Sequence, residues 1–299
     1  MTDPARRNFI RTAGGLILFT PFFPLAGRAQ AKNIMDNQPI TIQLGQTGQG
    51  FTLLRGGGRM EIQREPAGVN FYTISWSMSS LGVIRVSHGT YSFTLAGALS
   101  CMGIEDLDFP AEGIAEFHFD VAPAVPAVIS HLEARDRIFR LLHMLQMAGW
   151  RRYIDRHKPR FSGKTALEES IQRWGAYCLD PNYVPTLPEW MRLMIGSYWG
   201  FYAEGAYLTI EFKRDSRRMD PDKPGAYLVS FTLKNELVYM RGLFKQEKRK
   251  HWQEFWPEQE KYFQLERAEA EAKARAQGLS IDTTYTDPPI LALKRHTSP

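Results

Sequence analysis

AYLTIEFK at residues 206–213 and AYLVSFTLK at residues 226–234 alternate apolar and polar side chains one by one. A period of two is the mark of a strand with one face buried and one face wet. The polar connection from Asp215 to Gly225 closes the two runs into a hairpin. Working outward, the same alternation recurs from Ile40 to Val121. It is carried by Thr41 to Leu44, Met60 to Gln63, Phe71 to Trp76, Val83 to Val86 and Glu116 to Val121, with glycine clusters at 45–50 and 56–58 as turns.

Between and after these strands the period changes. Val128, Ile129, Leu132, Ile138, Phe139, Leu142, Leu145 and Ala148 recur at helical spacing and predict an amphipathic helix over 127–154. Thr165 with Glu168, and Thr186 with Glu189 and Pro188, carry capping-box signatures and predict short helices over 165–178 and 187–199. A long helical stretch is expected over 236–277, kinked or broken at Pro257 because proline lacks the backbone donor. The proline-bearing end, 278–299, reads as a loosely held extension.

The expected fold class is therefore α+β, a mixed, mainly antiparallel sheet with packed helices. Strand, strand, long helix occurs once before residue 154 and again after 206, which suggests two similar halves, 32–160 and 161–277, within the globular region 32–277.

The start of the chain, Ala5-Arg6-Arg7-Asn8-Phe9-Ile10-Arg11, resembles the twin-arginine export motif. A moderately apolar run from Thr12 to Gly27 follows, and Ala29-Gln30-Ala31 supplies a small-x-small cleavage site. The resemblance implies a signal peptide over 1–31, cleavage after Ala31 and a periplasmic destination. The apolar run holds Pro21 and Pro24 and falls short of the roughly 20 residues that span a bilayer. Arg28 stands where a lipoprotein would carry cysteine, so no lipid anchor and no transmembrane segment after cleavage are expected.

Arg6, Arg7, Arg11, Arg28 and Asp3 all fall in that segment, so the net charge drops from +5 to +2 on its removal. A nucleic-acid partner is excluded on that ground, since it calls for a strongly basic domain. Cys101 and Cys178 are the two cysteines of the chain. In an oxidising compartment they form either a disulfide or two buried free thiols.

Several motifs resolve into local structure. Ser162-Gly163-Lys164-Thr165 lacks the first glycine of a phosphate loop, since position 158 is Lys, and reads as a helix cap. Gly45 to Gly50 reads as a turn, and the acidic run Glu105, Asp106, Asp108 and Glu112 as a solvated loop, because Pro110 and Ala111 occupy positions where a calcium loop needs a ligand and a glycine. Glu116, His118 and Asp120 share one strand face and read as its wet side. No metal site and no cofactor are expected.

Two segments remain as functional candidates. Lys245, Lys248, Arg249 and Lys250 precede Trp252, Phe255 and Trp256, a basic and aromatic helix suited to a protein partner or to peripheral contact with an anionic membrane. Trp190 to Tyr207 concentrates aromatic residues around Glu204, so Trp199, Phe201 and Tyr202 would stack on a glycan and Glu204 would act as an acid. The leading expectation is a non-catalytic periplasmic protein that holds or blocks a protein partner, such as an immunity or inhibitor protein facing a secreted toxin, through Lys248, Arg249, Trp252, Phe255 and Trp256. The alternative is a cell-wall or glycan-binding protein or hydrolase built on Glu204.

Overall fold

The computed structural model describes residues 38–294, apart from 55, 66–67 and 125–127. The export-type stretch at 1–31 lies outside the described residues. The fold is α+β. Its centre is an 11-stranded mixed sheet whose main path runs β1 (Ile40–Ile42), β4 (Gly82–Val86), β5 (Phe93–Asp106), β6 (Ile114–Val121), β11 (Gly225–Asn235), β10 (Ala206–Arg214), β9 (Tyr198–Ala203) and β8 (Arg151–Arg152). β2 (Arg59–Glu65) pairs with β3 (Val69–Ser75), β3 with the far end of β5, and β7 (Val128–Ile129) with the start of β11. The β1–β4 pairing is parallel and the other ladders are antiparallel.

The predicted hairpin forms with Ala206 opposite Asn235 and Arg214 opposite Tyr227. Along β11 burial alternates residue by residue, as the pattern required. Two antiparallel meanders, β4-β5-β6 and β9-β10-β11, meet where β6 lies antiparallel to β11, and each is followed in the chain by a helix. They share one continuous sheet.

Missing from the sequence reading is β5, the strand on which β3, β4 and β6 all pair. Its Ala96-Gly97-Ala98 stretch gives little β-propensity signal. Gly97 has φ +90, and a Cβ there would stand 2.8 Å from the Ala122 carbonyl oxygen. The strand register shifts just beyond it, between Ala98 and Ser100. β5 thereby changes partner on one side, from β4 to β3.

The glycine run expected as a turn closes in a short helix, α1 (Gly48–Thr52), that seats Phe51 in the core, and one face of the sheet is buried beneath α2 (His131–Met147), α3 (Gly163–Gln172) and α4 (Leu187–Arg192). Phe119 stacks on Phe231 at 4.8 Å, Trp190 on Phe212 at 4.5 Å, and Phe139 meets Trp199 edge-on at 5.8 Å. The Thr186–Glu189 capping box is present. The Thr165 cap is not: α3 begins two residues earlier, at Gly163 after Ser162. α4 stops at Arg192, and the aromatic run expected to continue it becomes β9. The buried Arg214 ends α4 by donating to the carbonyls of Trp190, Met191 and Leu193 at 3.0–3.3 Å.

The C-terminal part departs from expectation in two ways. The long helix breaks at residues 243–251 rather than at Pro257, giving α5 (Glu236–Gly242), a short 3-10 turn and α6 (Trp252–Ala276). Pro257 lies in the second turn of α6 and forgoes a single bond to the Gln253 carbonyl. Residues 278–294 are not a loose extension but pack back on the fold. Asp287 accepts from Arg267 at 2.6 Å, and Pro288 offers its carbonyl to Arg156. Glu236 accepts from the backbone of Leu291 and Ala292 at 3.0 and 2.6 Å, capping the last helix, α7 (Leu291–Lys294). Cys101 and Cys178 are free thiols: Cys101 is buried on β5, opposite Phe119 of β6, and Cys178 donates to the Tyr153 carbonyl. The disulfide alternative is thus not the one formed.

Candidate functional site

The aromatic segment before Tyr207 divides by strand period. Trp199, Phe201 and Ala203 point into the main core, at 0%, 1% and 3% exposure, so Trp199 and Phe201 offer no platform to a glycan. Tyr202 is buried on the opposite side, where its hydroxyl accepts from Gly205 N at 2.9 Å and donates to the Pro289 carbonyl. Glu204, expected as an acid in a site, is an exposed turn residue. With Gly205 it links β9 to β10, both at positive φ (+37 and +78), the two-residue connection of a tight hairpin.

The basic and aromatic helix is also corrected. Trp252 and Trp256 are 1% and 3% exposed and form a second core with Met240, Phe244, Phe263 and Ile290. Arg249 donates to the Phe244 carbonyl, and Lys248 lies 4.5 Å over the half-buried Phe255 ring. Helical spacing announces an apolar stripe but not what covers it. Here the cover is α5 and residues 290–292 of the same chain.

The other face of the sheet carries the polar half of each alternation. Ser100, His118, Asp120, Ser230, Thr232, Thr209 and Glu211 lie half-exposed across the adjacent strands β5, β6, β11 and β10. Ser100, His118, Asp120, Ser230 and Thr232 are braced laterally. Asp120 accepts from Ser230 at 2.6 Å and from Ser100 at 3.3 Å, and Glu116 pairs with His118 at 2.5 Å and with Lys234 at 3.1 Å. Burial would push the Glu116 carboxyl up, but Lys234 and His118 outweigh it and hold the group at about 2. Glu116, His118 and Asp120 do share one face, as their spacing required. Among the described residues no cluster of His, Cys, Asp or Glu could hold a metal ion.

At the β9–β10 side of this face a cavity of about 250 Å³ opens, lined by Tyr153, Asp155, Tyr198, Tyr207, Thr209, Glu211 and Tyr239 among others. Strand register brings Tyr198 opposite Glu211, and Glu211 opposite Ser230. The segment after β8 supplies Tyr153 and Asp155, and α5 supplies Tyr239. Tyr207 and Tyr239 stack at 3.9 Å with 4° between their planes, and Tyr153 stands edge-on to both. Asp155 is engaged on both oxygens: Oδ1 accepts from the Tyr239 hydroxyl at 3.1 Å, while Oδ2 takes the Tyr198 hydroxyl at 3.2 Å and Lys158 Nζ at 2.9 Å. Burial raises this carboxyl, yet Lys158 and the donated bonds bring it below its ordinary value. Glu211 moves the other way: burial raises it and outweighs the pull of Lys213 and His118, with Asp120 adding a smaller push upward. Burial raises Tyr153 and Tyr239 far above the usual phenol range, so both keep their protons, and Tyr239 donates its own to Asp155.

Two carboxyl groups pushed apart in one cavity also resemble an acid–base pair. Here Asp155 has its oxygens engaged by three donors, so its structural task is to hold Tyr198, Tyr239 and Lys158 in place. The sequence reading reached Tyr198, Tyr202 and Tyr207 through their aromatic density. It missed Tyr153, Asp155, Lys158, Glu211 and Tyr239, which are distant in the chain; alternation around Glu211 was the one local signal available.

No protein family, curated protein or solved structure matches the chain.

Proposed function

We propose that the protein is a non-catalytic binding protein of the periplasm that holds or blocks a protein partner, and that the partner docks on the polar face of the central sheet. The observation carrying this reading is the braced band of Ser100, His118, Asp120, Ser230 and Thr232, half-exposed where the opposite face is buried. Side chains already fixed by their neighbours lose little freedom on association, which favours a polar surface of this kind as a docking site. The compartment rests on the twin-arginine resemblance of Ala5 to Arg11 and on cleavage after Ala31.

The test passes a periplasmic extract of the producing cell over the immobilised protein. Wild type is expected to retain a partner, Thr232→Arg to lose it, and Leu265→Arg, on an exposed part of α6, to retain it. No specific partner, or equal retention by Thr232→Arg, contradicts the reading.

A further inference from the structure

Glu211 is an unusual carboxylate. It lines the cavity and is partly withdrawn from water, yet among the described residues no side chain hydrogen-bonds to it or forms an ion pair with it. Lys213, His118 and Asp120 act on it without reaching bonding distance. A half-buried acidic group lacking a donor loses hydration without compensation. Asp155, in the same cavity, shows the contrasting case of a carboxylate met by donors on both oxygens.

The lining contains two carboxylates, four tyrosines and no Lys, Arg or His. Lys158, just behind the wall, is taken up by Asp155 and the Tyr198 hydroxyl, so an anion entering the cavity would meet the unmatched charge of Glu211 with no basic residue in the lining. A metal ion needs several oxygen ligands, and both Asp155 oxygens are already engaged. A cation bearing N–H groups satisfies Glu211 by a charge-assisted bond and is favoured by electron-rich phenol rings. The volume of about 250 Å³ has room for roughly eight water-sized groups, enough for a charged head on a short stem.

We propose that this cavity binds an organic cation, a primary ammonium or guanidinium group on a short aliphatic stem, with Glu211 meeting the charge and Tyr153, Tyr198, Tyr207 and Tyr239 enclosing the stem. The cation is either a free small amine or a lysine or arginine side chain of a bound polypeptide. The inference does not depend on the docking face proposed above.

Calorimetric titration of the full chain with 1-aminopentane and agmatine, beside pentanol and pentanoate, tests it. The amines bind and the neutral and anionic analogues do not. Glu211→Gln weakens the amines by about tenfold or more while keeping the wild-type melting temperature, and Thr209→Phe abolishes binding by filling the cavity. A lysine-centred peptide with blocked ends separates the sources: tighter binding of the peptide assigns the site to a polypeptide side chain, tighter binding of the free amine to a small molecule. The proposal is overturned if neither cation binds, if pentanol binds as well as 1-aminopentane, or if folded Glu211→Gln binds the amines unchanged.

Discussion

Glu116 shows how much of this protein is settled by single side chains. Its carboxylate is buried but is met by Lys234 and His118, which hold it at about 2 against an ordinary value of 4.5. A carboxyl depressed in the folded state contributes stability that is present above its unfolded value and lost as pH falls through the folded one. Folding stability is therefore expected to drop as pH is taken from about 4.5 to about 2. Glu116→Gln, which lacks the proton linkage, flattens that part of the profile while lowering stability near neutrality. Denaturant titrations across this range check it; equal acid slopes for wild type and Glu116→Gln contradict it. The face position of Glu116 was legible from period two alone. Its two partners were only half legible: His118 is two residues away on the same strand, while Lys234 arrives from β11 through tertiary pairing.

At the scale of elements, strong alternation translated into correct strands, and a caps-and-period argument located α2 and α4. Where a strand is buried on both faces or poor in β-formers, as in β9 and β5, the periodic signal disappears and the element was missed. The end of α4 is instructive because a buried arginine from β10 sets it. Arg214→Met keeps much of the bulk but removes the donor to the Met191 and Leu193 carbonyls and leaves the Trp190 carbonyl only the Leu193 backbone N–H. A loss of about 3 kcal/mol is expected, read as a lowered urea midpoint. An unchanged midpoint contradicts the assigned cap. The aromatic stripe of α6 shows the converse limit of sequence reading: Trp252 and Trp256 were found at the right spacing, but only the returning chain near Ile290 explains why they are covered.

For the whole molecule, the two meanders fuse into one sheet with unequal faces, and this asymmetry carries the functional reading. One face is closed by α2, α3 and α4, and the other keeps a braced polar band beside a tyrosine-lined cavity. The fold class was legible in the sequence because it depends on period. The site was largely illegible because Asp155, Glu211 and Tyr239 meet only after the sheet and α5 have formed. On this reading the partner sits on the polar face of the sheet. Both native thiols are buried and free, so a single introduced cysteine reports on that face without interference. The decisive measurement is the rate of maleimide labelling of Thr232→Cys, with and without the captured partner, beside Leu265→Cys on α6. Slowing at Thr232→Cys by about tenfold or more, with Leu265→Cys unchanged, is the predicted result. Unchanged labelling at Thr232→Cys with protection at Leu265→Cys would contradict it.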